Sequence, residues 1–242
     1  MNISVIASGS NGNCCHVEDR GTSILLDAGI SMKEYEKRME LLEKDASTVK
    51  AILISHSHID HTRGAGIISR KYKIPVLMTS ETYAETAIGN ARVKLFNSKI
   101  KIKGMEIVPV ITSHDVFSCG FKIKDFGLFT DTGMITPGIK TAIPKLKTVL
   151  LEANYDYNML MNGMYPAFLK KRIASTTGHM DNRDTCNFLQ ESGKHLDRVL
   201  LGHLSENNNS HDVLRETYET LVKHKFEYAI CSRDKESGCW KV

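Results

Sequence analysis

The chain has 242 residues, of which 41% are hydrophobic and 25% charged, and its formal net charge is +4 at pH 7. These values are ordinary for a soluble globular protein, and no apolar run reaches the roughly 18 residues that a membrane-spanning helix needs. The length suits one large α/β unit, so we predict a single domain over residues 1–242 and no membrane partner.

Strand-like and helix-like segments alternate along the chain without a linker, a repeat or a low-complexity tract. Strands are predicted at residues 3–7, 14–17, 23–27, 49–54, 76–79, 107–112, 121–124, 127–130, 148–151, 199–201 and 228–231. Helices are predicted at residues 31–44, 62–71, 80–87, 167–173, 182–192 and 210–223. Ser31 and Glu34 form a predicted capping box, and Asn182 is the predicted N-cap of a later helix. Strands in both halves favour two mixed sheets with helices outside.

Two features predict a cytoplasmic protein. The first residues lack a basic region and resemble a β-strand more than a signal peptide. The six cysteines show no CxxC spacing and no disulfide framework, so we expect reduced thiols.

The most informative segment is SHSHIDH at residues 55–61, which places four metal-seeking side chains within six residues. A predicted buried strand ends just before it and a predicted helix follows it, so the segment forms a loop at the carboxyl edge of a sheet. His56 and His58 can point into one pocket, while Asp60 and His61 can point to a neighbouring position. One loop thus offers two half-built coordination spheres. Structural zinc sites usually contain cysteine, and none lies nearby, so the pattern favours a catalytic site with two metal ions.

The HxHxDH pattern resembles the signature of the metallo-β-lactamase superfamily, and the resemblance covers nearly the whole chain. It implies an α/β (α+β) fold, a four-layered αββα sandwich, with a mono- or dinuclear metal site at the edge of two sheets. It also implies three further ligands, each after a predicted strand: His114, Asp131 in a TDTG motif, and His203. Too few residues separate Asp131 from His203 for the long inserted domain of some superfamily nucleases.

The implied ligand set makes chemical sense. His56, His58 and His114 would hold one metal, Asp60, His61 and His203 the second, and the Asp131 carboxylate would bridge both. Such ligands suit Zn²⁺, Mn²⁺ or iron without choosing among them. Two ions about 3.5–4 Å apart can share a nucleophilic hydroxide and clamp the substrate's oxygens.

Four loops resemble those of the YycJ-like (WalJ) bacterial subgroup, whose members are regarded as 5′-to-3′ DNA exonucleases. They comprise residues 8–14, 151–160, 178–182 and 203–209. The subgroup usually has GHLSN where this chain has GHMDN at residues 178–182; the departure lies beside His179 and bears on substrate contacts.

The resemblance implies that His179 handles the proton of the leaving oxygen, and we predict that Asp60 is catalytic as well as a ligand. The predicted substrate-binding residues are Asn13, Asn154 and Asn208. Two alternatives stay open: His179 could only cap a helix, and the asparagine-containing loops could be plain turns.

The resulting hypothesis is phosphodiester hydrolysis of nucleic acid, with DNA favoured over RNA. The alternatives are a ribonuclease, a small-molecule hydrolase of lactones, thioesters or cyclic phosphodiesters, and a scaffold without activity. Lysines and arginines cluster at residues 94–103, 140–147 and 170–172, where a solvated face is the simpler interpretation. Aromatic residues are sparse among them, so the sequence does not predict a stacking platform.

Overall fold

The computed structural model describes all 242 residues. Its fourteen strands are β1 (Asn2–Ala7), β2 (Cys14–Asp19), β3 (Thr22–Leu26), β4 (Val49–Leu53), β5 (Val76–Met78), β6 (Val93–Leu95), β7 (Ile100–Ile102), β8 (Met105–Ile111), β9 (Cys119–Ile123), β10 (Phe126–Phe129), β11 (Thr148–Glu152), β12 (Arg198–Gly202), β13 (Glu227–Ile230) and β14 (Gly238–Lys241). Its nine α-helices are α1 (Met32–Leu41), α2 (Ile59–Thr62), α3 (Ala65–Tyr72), α4 (Ser80–Glu85), α5 (Pro137–Ala142), α6 (Tyr157–Asn162), α7 (Ala167–Ile173), α8 (Asn182–Ser192) and α9 (His211–Leu221). None of these helices has the length and apolar character needed to cross a membrane.

The chain forms two compact units, one of Met1–Pro109 with Ser232–Val242 and one of Val110–Cys231. The single domain predicted over the whole chain stays a prediction.

The first unit contains a seven-stranded mixed sheet in the order β14-β1-β2-β3-β4-β5-β6. Strands β3 to β6 run parallel, and their buried side chains pack with those of α1 and α3, including Tyr35, Met39 and Ile68. Because parallel strands end at the same edge of a sheet, the residues that follow β3 and β4 lie close together. Those residues include Asp27 and the SHSHIDH segment.

The second sheet has the order β13-β12-β11-β10-β9-β8-β7, and β9 to β13 belong to the second unit. Strands β10 to β13 are parallel, so their carboxyl ends share one edge. Asp131, Glu152 and His203 lie at the ends of β10, β11 and β12. The core beside this sheet packs Phe129, Leu151 and other buried side chains against α8 and α9.

The structure confirms every predicted strand with small changes in its bounds, and adds β6, β7 and β14. These three are short, and partner strands stabilise them more than their own pattern does; β6 pairs with β5 through Val93 and Val76. The predicted helix at 62–71 corresponds to α3, which begins at Ala65, and a separate helical turn, α2, precedes it from Ile59, where His61 N donates to His58 O at 3.0 Å. Asp60 and His61 therefore lie in a helical turn and not in an open loop.

The two predicted helix caps had different outcomes. Ser31 caps α1 as predicted, with its side chain accepting from Glu34 N. The predicted N-cap Asn182 was wrong by one residue: Asp181 caps α8 and accepts from Arg183 N and Asp184 N. Asn182 is instead buried and donates to the Asn209 side chain.

Candidate functional site

Three imidazoles of the SHSHIDH segment converge in the first unit. The ring centroids of His56 and His58 are 4.7 Å apart, and those of His56 and His61 are 4.1 Å apart. His56 and His61 are fully buried, and His58 is half-buried. The structure thus brings these three predicted ligands together, with Asp60 Oδ2 at 3.4 Å from His61 Nε2.

Asp27 determines how His61 is oriented. Its carboxylate accepts from Ser55 N at 2.8 Å, Ser55 Oγ at 3.0 Å and His61 Nδ1 at 2.8 Å. Since Nδ1 carries the proton, Nε2 carries the lone pair, and this lone pair accepts from Asn13 Nδ2 at 2.9 Å. The arrangement presents Nε2 as a metal-binding atom, as carboxylates behind metal-binding histidines usually do.

Sequence reasoning did not single out Asp27. The feature that could have identified Asp27 is its place directly after the buried strand β3. This strand lies beside β4, which precedes SHSHIDH. That neighbourhood is a property of the sheet order, and Asp27 also adopts a left-handed backbone with φ of 60°.

Three predicted ligands also converge in the second unit. Asp131 Oδ1 lies 3.3 Å from His203 Nε2 and 3.8 Å from His114 Nε2. His114 Nδ1 donates to Gly178 O at 3.1 Å, and His203 Nδ1 donates to a carboxylate at 2.9 Å, so both rings turn Nε2 toward Asp131. Burial lowers the pKa of His114, partly opposed by Asp131, which keeps the ring neutral and able to bind a metal.

The carboxylate that accepts from His203 belongs to Glu152, a fully buried residue at the end of β11. The same Oε1 accepts from His179 Nδ1 at 2.7 Å, while Oε2 accepts from Thr132 N at 2.9 Å. Burial by itself would raise the pKa of Glu152, but the imidazoles of His179 and His203 outweigh it and hold the pKa at about 2. Glu152 is therefore a carboxylate at neutral pH.

The sequence placed Glu152 only within a loop expected to lie over the site. The structure shows one carboxylate that orients both a predicted ligand and the predicted proton-handling residue. An acidic residue at the end of a fully buried strand, β11, was the signal that could have identified it.

Divalent cations fit both groups of side chains. In the second unit the Nε2 lone pairs of His114 and His203 face the Asp131 carboxylate, whereas in the first unit Asn13 Nδ2 donates to both His61 Nε2 and Asp60 Oδ2. Lone pairs and carboxylate oxygens at such distances repel one another unless a cation or a proton lies between them. Ligand atoms of Asp131, Glu152, His179 and His203 also lie within 4.8 Å of one another. Neutral imidazole with carboxylate suits zinc, manganese and iron.

The three asparagines predicted to bind substrate are all buried. Asn13 Oδ1 accepts from Gly9 N, Asn154 Nδ2 donates to His203 O, and Asn208 Nδ2 donates to Ser205 Oγ. The bonds of Asn154 and Asn208 hold the loop that carries His203, and Asn13 Nδ2 also donates to Asp60 Oδ2. Their contact with substrate stays a prediction.

The comparisons with known proteins agree with this geometry. A family model described as Metallo-beta-lactamase superfamily matches residues 7–139. Exodeoxyribonuclease YycJ of Bacillus anthracis is 32% identical over 241 residues, covering 93% of this chain and 90% of that protein. Exodeoxyribonuclease WalJ of Streptococcus pneumoniae serotype 2 is 31% identical over 229 residues, covering 88% and 85%.

Solved structures test the fold prediction. The metallo-beta-lactamase fold protein YhfI from Bacillus subtilis superposes with a TM-score of 0.73 at 18% identity, covering 99% of both chains. At this identity the likeness concerns the fold alone. The predicted metallo-β-lactamase fold, with two mixed sheets, flanking helices and no long inserted domain, is confirmed.

Proposed function

This chain belongs to the metallo-β-lactamase superfamily. We propose that it is a DNA exonuclease that digests from the 5′ end toward the 3′ end. It is a metal-dependent hydrolase, and its substrate bond is a phosphodiester. Two relatives at 31–32% identity are named exodeoxyribonucleases, which supports DNA over RNA as the substrate. We place the activity in the cytoplasm.

One observation carries the proposal: Glu152 holds His179 by a 2.7 Å hydrogen bond while its own oxygen also orients His203. The His179 side chain is 20% exposed, so its Nε2 is within reach of a substrate. Hydrolysis of a phosphodiester expels a sugar alkoxide, a strong base that needs a proton as it departs. A thioester hydrolase expels a thiolate, which leaves readily without one.

We propose that His56, His58 and His114 would hold one divalent ion, that Asp60, His61 and His203 would hold a second, and that the Asp131 carboxylate would serve both. Zn²⁺ or Mn²⁺ suits these ligands, and iron is compatible with them. When bound, two such ions activate water and offset the charge on the phosphate oxygens.

The chain's own residues then position and transfer protons. Glu152 and Asp27 fix the tautomers of His203 and His61. His179 donates a proton from Nε2 to the leaving oxygen, while Nδ1 stays bonded to Glu152. We assign Asp60 a catalytic part as well as metal binding, because its Oδ2 accepts from Asn13 Nδ2 at 3.3 Å and faces His61. Asn13, Asn154 and Asn208 are proposed to bind substrate, at the loops that their hydrogen bonds hold.

The test uses DNA and RNA duplexes labelled at the 5′ or the 3′ end, with Mn²⁺ or Zn²⁺ added separately. We expect 5′-terminal label to be released first from DNA. The His179→Ala variant should retain its metal content and lose about 10²- to 10⁴-fold in rate.

Three results would contradict the proposal. One is turnover of a lactone or thioester with no release of nucleotides. Another is equal or faster digestion of RNA, which would point to a ribonuclease. A His179→Ala variant with undiminished nucleolytic rate would remove this imidazole from the mechanism.

A further inference from the structure

Residues 157–178, which comprise α6, α7 and their loops and are called the arm below, expose apolar side chains that no core uses. Phe168 is 76% exposed and Met164 is fully exposed. Helix α7 buries none of its residues. Single exposed apolar residues are common, but a phenylalanine and a methionine presented by one short hairpin indicate an interaction surface.

The arm is also cationic. It contains Lys170, Lys171 and Arg172 and no carboxylate, and the three cations occupy the last turn of α7. Lys170 Nζ donates to Met161 O at 2.6 Å, which ties α7 to α6. Lys171 is exposed. Arg172 forms an ion pair with Asp115 outside the arm, but its side chain stays 62% exposed, so the arm presents net positive charge beside its aromatic and apolar side chains. Such a surface is complementary to unpaired nucleotides.

Both ends of the arm are attached to the catalytic groups of the second unit. The chain leaves Glu152 to enter the arm and returns from it at His179, and these two side chains are joined by their 2.7 Å hydrogen bond. Backbone hydrogen bonds close the neck: Asn154 N donates to Met180 O at 2.9 Å, and Asn182 N donates to Tyr155 O at 2.8 Å.

Close backbone packing holds α7 beside the candidate ligands. A Cβ on Gly178 would lie 2.2 Å from the carbonyl oxygens of Arg172 and Ile173, so only glycine permits this return of the chain. A Cβ on Gly133, in the TDTG motif of Asp131, would lie 2.4 Å from Ser175 O. Arg172 Nη1 also lies 3.3 Å from Asp115 Oδ2, next to His114.

We propose that the arm binds single-stranded DNA, with Phe168 and Met164 against unpaired bases and Lys171 and Arg172 against phosphates. The inference rests on the proposed exonuclease function and adds its substrate form: an end whose terminal nucleotides are unpaired. Base faces inside a duplex are covered by their neighbours, whereas every unpaired base offers a face to an exposed phenyl ring. The charge selects a polyanion over an apolar protein partner.

The test is binding of the metal-loaded protein to a fluorescent phosphorothioate oligothymidylate of about 15 nucleotides, which resists hydrolysis. Phe168→Ala should weaken binding by about 10-fold or more, and Lys171→Gln should reduce the salt dependence of log K by about 0.7. Leu95→Ala, at another exposed apolar residue on β6, and Lys37→Gln on α1 are the matched controls and should bind as the wild type does. Turnover of bis-p-nitrophenyl phosphate should be unchanged in Phe168→Ala, because this small diester does not reach the arm.

The outcomes separate the two proposals. If the wild type degrades DNA and Phe168→Ala binds and degrades it equally well, the arm proposal fails while the exonuclease stands. If the wild type binds the oligonucleotide through Phe168 but hydrolyses no nucleic acid, the proposed exonuclease activity is refuted while the proposed single-strand binding by the arm is supported. A Phe168→Ala variant that only changes the oligomeric state, measured by sedimentation, would reassign the surface to self-association and overturn the arm proposal.

Discussion

Glu152 is the residue on which most of the second unit's site geometry depends. One buried carboxylate accepts from two imidazoles and from the Thr132 amide, so each partner is held in a single orientation. A carboxylate has enough lone pairs for all these donors, whereas a neutral amide does not. The residue touches neither substrate nor metal in our proposal, and it acts by positioning His179 and His203.

The Glu152→Gln variant should lose metal affinity by about 10- to 100-fold and should lower kcat more than KM. The reason is that the NH2 group of glutamine would face N–H donors that the carboxylate of Glu152 accepts from. Chelator competition and steady-state kinetics at saturating metal measure the two effects. Glu106→Gln, at an exposed glutamate on β8, is the control and should leave both unchanged. Wild-type metal affinity and kcat in Glu152→Gln would contradict the positioning role.

Helix α8 shows how an element places a functional residue. Its N-cap Asp181 accepts from Arg183 N at 2.6 Å and Asp184 N at 3.0 Å, and Tyr155 forms a parallel bridge with this same residue. The helix therefore has its N-cap at a defined point two residues after His179. The cap and the bridge together hold the turn that presents the imidazole.

Asp181→Ala should lower the free energy of unfolding by about 1 kcal/mol, since two amide donors at the start of α8 lose their acceptor. Asp181→Asn should retain most of that stability, because asparagine caps helices nearly as well. Urea denaturation followed by circular dichroism compares the three proteins. Equal losses in the alanine and asparagine variants would show that the cap contributes little.

His16 on β2 affects the stability of the whole molecule. It is buried, and neither of its ring nitrogens has a hydrogen-bond partner. Burial, with a smaller contribution from Lys44, lowers the pKa of His16 to about 4. In the unfolded chain His16 binds a proton below about pH 6.5, whereas the folded chain excludes that proton until the pH reaches about 4. The contribution of His16 to the free energy of unfolding is therefore fully present above pH 6.5 and is lost as the pH falls toward 4.

Relative to a His16→Leu variant, the wild type should therefore lose about 2 kcal/mol of unfolding free energy between pH 7.5 and pH 5. Denaturation of both proteins at several pH values, with metal removed by chelator, isolates this effect from the other histidines. Glu18, which lies near His16, remains in both proteins and so cancels. A constant difference across this pH range would mean that His16 is protonated in the folded state.

The positions of most strands and helices along the chain followed from hydrophobic periodicity and helix caps, because these are local properties of a segment. The SHSHIDH spacing and the apolar runs before Asp131 and His203 indicated a metal-dependent hydrolase for the same reason. Short strands such as β6 were missed, since their stability comes from a neighbour distant in sequence. The start of α8 was predicted correctly, but its N-cap was assigned to Asn182 instead of Asp181, because both are good capping residues and only their contacts distinguish them.

The sequence by itself therefore indicated a metal site through the SHSHIDH spacing, and the family resemblance of that motif implied the fold, the metal-dependent hydrolase chemistry and the predicted ligands. The tertiary structure decided which carboxylates orient those ligands. Asp27 and Glu152 owe their roles to parallel strands whose ends meet at one sheet edge, a contact that no local pattern encodes. The arm became visible in the same way: Phe168 and Lys171 are ordinary residues of a short helix until the structure shows that this helix is exposed, cationic and attached to Glu152 and His179.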